Sequence, residues 1–239
     1  MPNDVALSTL YLVPTPIGNL QDITLRAVDV LKNVDLIACE DTRRTLTLLN
    51  SLGISKPLVS YHAHSAPAKA RDLVRALHSG KKVALVCDAG TPGLSDPGTE
   101  LVQAAIKEGL AVCSLPGPCA AITGLVASGL PTDRFFFIGF LPRRPARAKR
   151  RLNESAATGA TVVLYESPFR TRQTVEWIRD GIGGDTPVVL ARELSKLHEE
   201  FMRGTARDIS DQLAARELKG EVVILFRKPE EPEPEESNG

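Results

Sequence analysis

VALVCDAGTPGLSDPG, residues 83–98, is the stretch on which the reading of this chain turns. Val83 to Cys87 is a short apolar run rich in β-branched residues, the pattern of a buried strand. Asp88 to Gly98 then sets three Gly, two Pro and two Asp into eleven residues. Thr99 to Lys107 has the pattern of a helix. A turn of about two or three residues would join a strand to a helix. The longer loop, with Gly90, Gly93 and Gly98, lets a ligand approach the main chain closely. In open α/β sheets ligands bind beyond the carboxyl ends of the strands, so this loop is expected to face one. The plain alternative is an ordinary β-to-α turn.

Working outward, strands and helices alternate. Thr9 to Val13 reads as a strand entering Pro14-Thr15-Pro16-Ile17-Gly18-Asn19, with Asp22 expected to cap a helix whose apolar face includes Leu25, Val28 and Leu31. Val34 to Cys39 ends in Glu40-Asp41-Thr42-Arg43-Arg44, and Leu58 to Tyr61 ends near His62 and His64. Leu110 to Leu115 enters Pro116-Gly117-Pro118, and a small-residue helix, Cys119 to Ser128, stops at Gly129. Such alternation implies a mostly parallel, covered sheet. Its Pro/Gly loops at 14–19, 88–98 and 116–118 would share one edge and make a cleft. The pattern changes at Leu130 to Arg134. The expected organisation is therefore an N-terminal α/β domain over 1–130, a C-terminal α/β domain over 131–228 and an acidic, compositionally disordered tail over 229–239. The second half, with strands at Phe135–Phe140, Ala160–Tyr165, Pro187–Ala191, Glu200–Thr205 and Glu221–Phe226, leaves room for hairpins and predicts a mixed sheet.

Over 239 residues, 43% hydrophobic and 24% charged content is that of a globular protein. No apolar run approaches the roughly 18 residues of a membrane span, so no membrane role is expected. No basic region followed by an apolar core opens the chain, which points to the cytoplasm. Cys39, Cys87, Cys113 and Cys119 lie in or beside apolar segments without CxxC spacing, as small buried thiols do. The zero net charge hides an asymmetry. The tail holds five Glu, so elsewhere 29 basic residues face 24 acidic ones, a net of +5.

Neither the G-x-G-x-x-G fingerprint nor a P-loop is present, which disfavours two common nucleotide-binding classes. The proline-rich loops suit a ligand held by rigid backbone with few charged side chains. His62 and His64 would share a strand face, but no acidic or Cys partner is placed beside them, so no metal is expected. Glu40 and Asp41 can act as a functional pair or cap the next helix. Glu166 and Glu193 each follow an apolar strand. Residues 143–151 contain six cations, Arg143, Arg144, Arg147, Lys149, Arg150 and Arg151, and no acid. Arg143, Arg147, Arg150 and Arg151 would share a helical face. Either this is a solvated face, or a polyanion relieves the repulsion, with phosphate contacts expected more than base stacking because aromatic interleaving is sparse.

LYLVPTPIGNLQDITLRAVDVLK, ACEDTRRTLTLLNSLGI, VCDAGTPGLSDPG, PGPCAAITGLVASGLPTDRFFFIGFLPR, YESPFR and ARELSKLHEEFMRGT, in that order from Thr9 to Phe226, resemble the tetrapyrrole-methylase superfamily. Within it they are similar to the bacterial branch that 2′-O-methylates a cytidine ribose of 16S ribosomal RNA at the decoding centre. Members often continue into a small helical C-terminal region, where this chain has its acidic stretch. The resemblance implies two α/β domains with S-adenosylmethionine (SAM) in the cleft between them. It implies cofactor contacts from Pro16, Gly18, Asp88, Ala89, Gly90, Thr91, Pro92, Leu94, Pro116, Cys119, Ala120, Tyr165, Glu193 and Val222. It implies 16S rRNA of the small ribosomal subunit as partner, gripped by Arg43, Arg44 and the 143–151 cations, and a homodimer. A ribose hydroxyl needs a base or polarising group, with Asp88, Glu40, His62 and Glu166 as candidates. A tetrapyrrole methylase and a non-catalytic RNA-binding protein are the competing readings.

Overall fold

The computed structural model describes residues 8–62 and 66–229, so His64 and most of the acidic tail lie outside it. The chain divides into two units at Cys119/Ala120.

The first unit holds a five-stranded, all-parallel sheet of β1 (Thr9–Leu12), β2 (Leu36–Cys39), β3 (Leu58–Ser60), β4 (Val83–Leu85) and β5 (Ala111–Ser114), in the order β3-β2-β4-β1-β5. Helices α1 (Leu25–Asn33) and α2 (Thr42–Ser51) cover one face, burying Val30, Leu31 and Leu49 against Tyr11, Ile37, Cys39 and Ala84. Helices α3 (Ala66–His78) and α4 (Thr99–Lys107) cover the other, burying Leu73, Leu77 and Leu101 against Leu10, Ala38, Val83 and Leu85. Alternate residues of each strand thus feed opposite cores, as the period of two requires. Thr24, not Asp22, caps α1, its side chain accepting from Ala27 N at 3.0 Å. Asp22 lies in a preceding 3-10 turn, Leu20–Asp22, and Leu25 is left exposed.

The second unit begins with α5 (Ala120–Ser128). Its mixed sheet, as expected from the hairpins, comprises β6 (Phe135–Phe140), β7 (Thr161–Glu166), β8 (Pro187–Arg192), β9 (Glu200–Thr205) and β10 (Val222–Phe226), in the order β6-β7-β10-β8-β9. Only β6 and β7 pair in parallel. Helices α6 (Pro145–Ala156), α7 (Pro168–Gly181) and α8 (Ala206–Ala214) bury one face. Pro145 suits the first turn of α6, and Ala148, Leu152, Ser155 and Ala156 form its buried stripe. Full burial of Leu152 contributes roughly 1.5–3 kcal/mol. The other face receives α5, where Gly124 lies against Val223 and Ala191, an added Cβ meeting them at 3.5 and 3.6 Å. That packing places α5 with the second sheet, whereas the sequence pattern put the domain boundary after it, at residue 130.

Candidate functional site

Strand β1 hands the chain to α1 on one face of the first sheet, while its neighbour β4 hands it to α4 on the other. Adjacent strands whose connections part in this way leave a crevice at their carboxyl ends, the usual ligand position in open α/β sheets. The loops that leave β1 and β4 are zipped together there. Thr15 N donates to Gly90 O at 2.9 Å, Gly90 N donates to Thr15 O at 3.0 Å, and the buried Thr15 hydroxyl donates to Cys87 O at 3.1 Å. Gly90 sits at φ +83°, which its lack of Cβ permits.

The loop after β5 joins them. Thr91 Oγ1 donates to Pro118 O at 2.9 Å. Gly117 lies so close to the Pro14 ring that an added Cβ would stand 2.6 Å from Pro14 Cβ. The exit of β2 is tied on by Asp88, whose Oδ1 accepts from Asp41 N at 3.1 Å and whose Oδ2 pairs with Arg44 at 3.3 Å. Pro16, Gly18, Asp88 to Leu94, Pro116 and Cys119 therefore stand on three loops of one sheet edge, knitted by main chain and proline, with the β2 exit tied on through Asp88.

Acids gather at the β2 and β4 exits. Burial, then the charges of Asp88 and Asp96, pushes the Glu40 carboxyl above its ordinary value. Asp96 is pushed up by burial as well. The neighbouring Asp41 goes the other way, held down to about 2 by hydrogen bonds from Arg43. Burial raises the Cys87 thiol, which donates to Ala89 O and Gly90 O, so it is a packing group and a poor nucleophile. His62 is exposed, following β3 at the same edge. Among the described residues no cluster of His, Cys, Asp or Glu could hold a metal.

Within the second unit, Tyr165, Arg192 and Val222 lie together, because Val222 pairs with both Glu166 and Arg192. Tyr165 Oη accepts from Ala121 N in the first turn of α5 at 3.2 Å, which sets Ala120 beside it. Glu193, at φ +52°, accepts from Lys196 Nζ at 2.8 Å and Glu221 N at 2.9 Å. Glu166 is 3% exposed, and its carboxylate accepts from Ser167 N at 2.9 Å and Thr174 Oγ1 at 3.0 Å. It lies 3.6 Å from Arg170, which in turn donates to the carbonyls of Leu141 and Pro142 at 3.3 and 3.1 Å. Sequence reading singled out Glu166 but missed Arg170, although YESPFR contains both. The chain from Glu166 through Arg170 fixes the turn that opens the basic segment.

In that segment Arg143 precedes the helix and Arg144 caps it, so only Arg147, Arg150 and Arg151 of the expected face lie on α6. Lys149 Nζ lies 6.0 Å from the Trp177 ring centroid, and Arg150 pairs with Glu154 at 3.4 Å. Arg143, Arg144, Arg147 and Arg151 are exposed and form no ion pair among the described residues. Cations at the positive end of a helix are unfavourable, which an anion would offset. Arg43 and Arg44 are exposed on the first turn of α2. Among the described residues no helix is long and apolar enough to cross a membrane.

The Tetrapyrrole (Corrin/Porphyrin) Methylases match residues 9–210. A ribosomal RNA small subunit methyltransferase I of Halalkalibacterium halodurans is 48% identical over 95% of this chain and 79% of its own length. One of Hydrogenobaculum sp. is 48% identical over 92% of this chain and 95% of its own. The structure of uroporphyrin-III C-methyl transferase from Thermus thermophilus complexed with S-adenyl homocysteine superposes with a TM-score of 0.65, at 20% identity, over 92% of this chain and 97% of that one, which establishes the common fold. By that match and by those two relatives, the chain belongs to the tetrapyrrole methylases, in the branch of the ribosomal RNA small subunit methyltransferases I.

Proposed function

We propose that the chain transfers a methyl group from SAM to the 2′-hydroxyl of a cytidine in 16S rRNA of the small ribosomal subunit. The observation that carries this reading is the 48% identity to the Halalkalibacterium halodurans relative, which extends through both units. The knitted loops of the first unit fit a nucleoside read by backbone, since they present close-set main chain and little side-chain charge. Pro16, Gly18, Asp88 to Leu94, Pro116 and Cys119 would hold the cofactor there.

SAM supplies a methyl carbon already activated by its sulfonium, so positioning provides much of the rate. The ribose proton still needs an acceptor. Glu40 is favoured, because burial among carboxylates raises its basicity toward the working pH. Asp88 ties two loops together, His62 remains an alternative, and Glu166 is a positioning residue for the basic segment. Arg143, Arg144, Arg147 and Arg151 would grip phosphates, which supports RNA over a tetrapyrrole, whose few carboxylates need no such cluster.

Transfer of labelled methyl from SAM to small ribosomal subunits taken from a strain lacking the enzyme tests the reading. Labelling of a tetrapyrrole instead, or RNA binding without SAM binding, would replace it with one of the competitors. The cytoplasmic location and the homodimer belong to the same reading; a monomer mass by light scattering at micromolar concentration would count against the dimer.

A further inference from the structure

The strand leading into the basic segment is an edge strand, and its sequence is FFFIGF. Phe135, Phe136 and Phe140 are 44%, 44% and 57% exposed, an unusual amount of aromatic surface on a sheet edge. Strict alternation would put Phe140 on the face of Ile138, which is buried in the core. A bulge prevents this. Phe137 pairs with Val163 and Phe140 with Tyr165, so β6 spends three residues where β7 spends two. Gly139 takes the extra turn at φ +61°. Bulges of this kind re-aim side chains at sheet edges. Here Phe140 is brought to the face of Phe137 and Tyr165, its ring 5.6 Å from that of Tyr165, with Phe137 at 5.0 Å on the same ring.

Directly after Phe140 the chain is clamped by Arg170 at Leu141 and Pro142, and then presents Arg143, Arg144, Arg147 and Arg151 without ion-pair partners among the described residues. An aromatic ledge continuous with a cationic track is how proteins hold single-stranded nucleic acid, bases on rings and phosphates on cations. We propose that Phe140, with Phe135 at the other end of the bulged edge strand β6, stacks unpaired bases of the RNA whose phosphates run along Arg143 to Arg151. The inference rests on the chain being an rRNA methyltransferase and adds how its substrate is held. It revises the expectation of phosphate contacts more than base stacking, since the aromatics precede the cations in sequence but adjoin them at the strand's end. Pairing of β6 with β6 of a second copy is the other use of such an edge.

The test uses the full chain and a fluorescently labelled single-stranded RNA decamer, titrated across a salt series. Phe140→Ala should weaken binding about 5- to 100-fold, the loss of one stacked base, with the salt slope unchanged. Phe140→Tyr should bind within about twofold of wild type, since its ring still stacks. Phe135→Ala, at the strand's other end, makes the same comparison independently of Phe140. Equal affinity for wild type, Phe140→Ala and Phe135→Ala would overturn the inference. So would a halved mass in light scattering for Phe140→Ala with RNA affinity intact, which would make the edge a protein interface. Both results leave the methyltransferase reading standing where wild type labels small subunits; a wild type that neither labels them nor binds the decamer removes that reading itself.

Discussion

Gly117→Ala probes whether the loops at the carboxyl edge of the first sheet act as one platform. Gly117 does not sit at positive φ, so alanine is conformationally acceptable there and the effect is purely one of space. The new Cβ would stand 2.6 Å from Pro14 Cβ and 3.0 Å from its Cγ. Ordinary contact begins near 3.4 Å, and neither the proline ring nor the backbone can turn aside as a long side chain would. The loops after β1 and β5 must part by roughly 1 Å, and overpacking of this sort costs about 1–3 kcal/mol. If the variant relieves that strain by opening, SAM binding has to restore it, which raises the SAM Kd about 5- to 100-fold. Isothermal calorimetry of SAM binding reads this directly, and chemical denaturation reads the stability. Gly53→Ala is the control: it also carries a backbone cost at φ +66°, but its Cβ meets nothing within 4 Å, so SAM affinity should hold. Wild-type SAM affinity in Gly117→Ala would refute a cofactor site built on these loops.

Replacing Arg143, Arg147 and Arg151 together by Ala should weaken RNA binding and flatten its log–log salt dependence by about two units, at about 0.7 per lost phosphate contact; an unchanged slope would make the segment a solvated face. Glu166→Ala leaves the buried Thr174 hydroxyl without its acceptor and loosens Arg170, so the second unit should lose about 2–4 kcal/mol in urea denaturation, and a wild-type midpoint would contradict the clamp. Glu200, gripped by Arg216 at 2.7 Å through both oxygens and by Arg192 at 3.1 Å, is held down to about 2. Its folded pKa lies below the unfolded value, so its stabilisation is present above roughly pH 4.5 and is lost as pH falls toward 2. With the pair partly solvated this amounts to about 1 kcal/mol, and Glu200→Gln should therefore show a flatter acid limb than wild type in pH-dependent melting.

Much of the fold is written in local pattern. FFFIGF reads as a strand and is one, and Thr99 to Lys107 is helix from end to end. The loop of residues 88–98, too long for a plain turn, leads to the crevice beside β1. What local pattern lacks is partnership between distant segments. Nothing in residues 120–128, a helix of small residues with no clear polar face, says that Gly124 will rest on β8 and β10, which is why the domain boundary, read after residue 130, falls after Cys119 instead. Asp22 and Thr24 are both good caps, and only packing of Ala27, Val30 and Leu31 decides for Thr24. Gly139 hints at a bulge, but re-aiming of Phe140 depends on its register with β7. Glu166 looks like a free acid after a strand until Thr174 and Arg170 are folded back onto it.

The most direct measurement is incubation of the purified chain with SAM and unmethylated small ribosomal subunits, followed by mapping of ribose methylation along the 16S rRNA. The account predicts a single new 2′-O-methyl group, on a cytidine, lost in Glu40→Gln while SAM binding persists. Methylation on a base, or no methylation while SAM is bound normally, would contradict it.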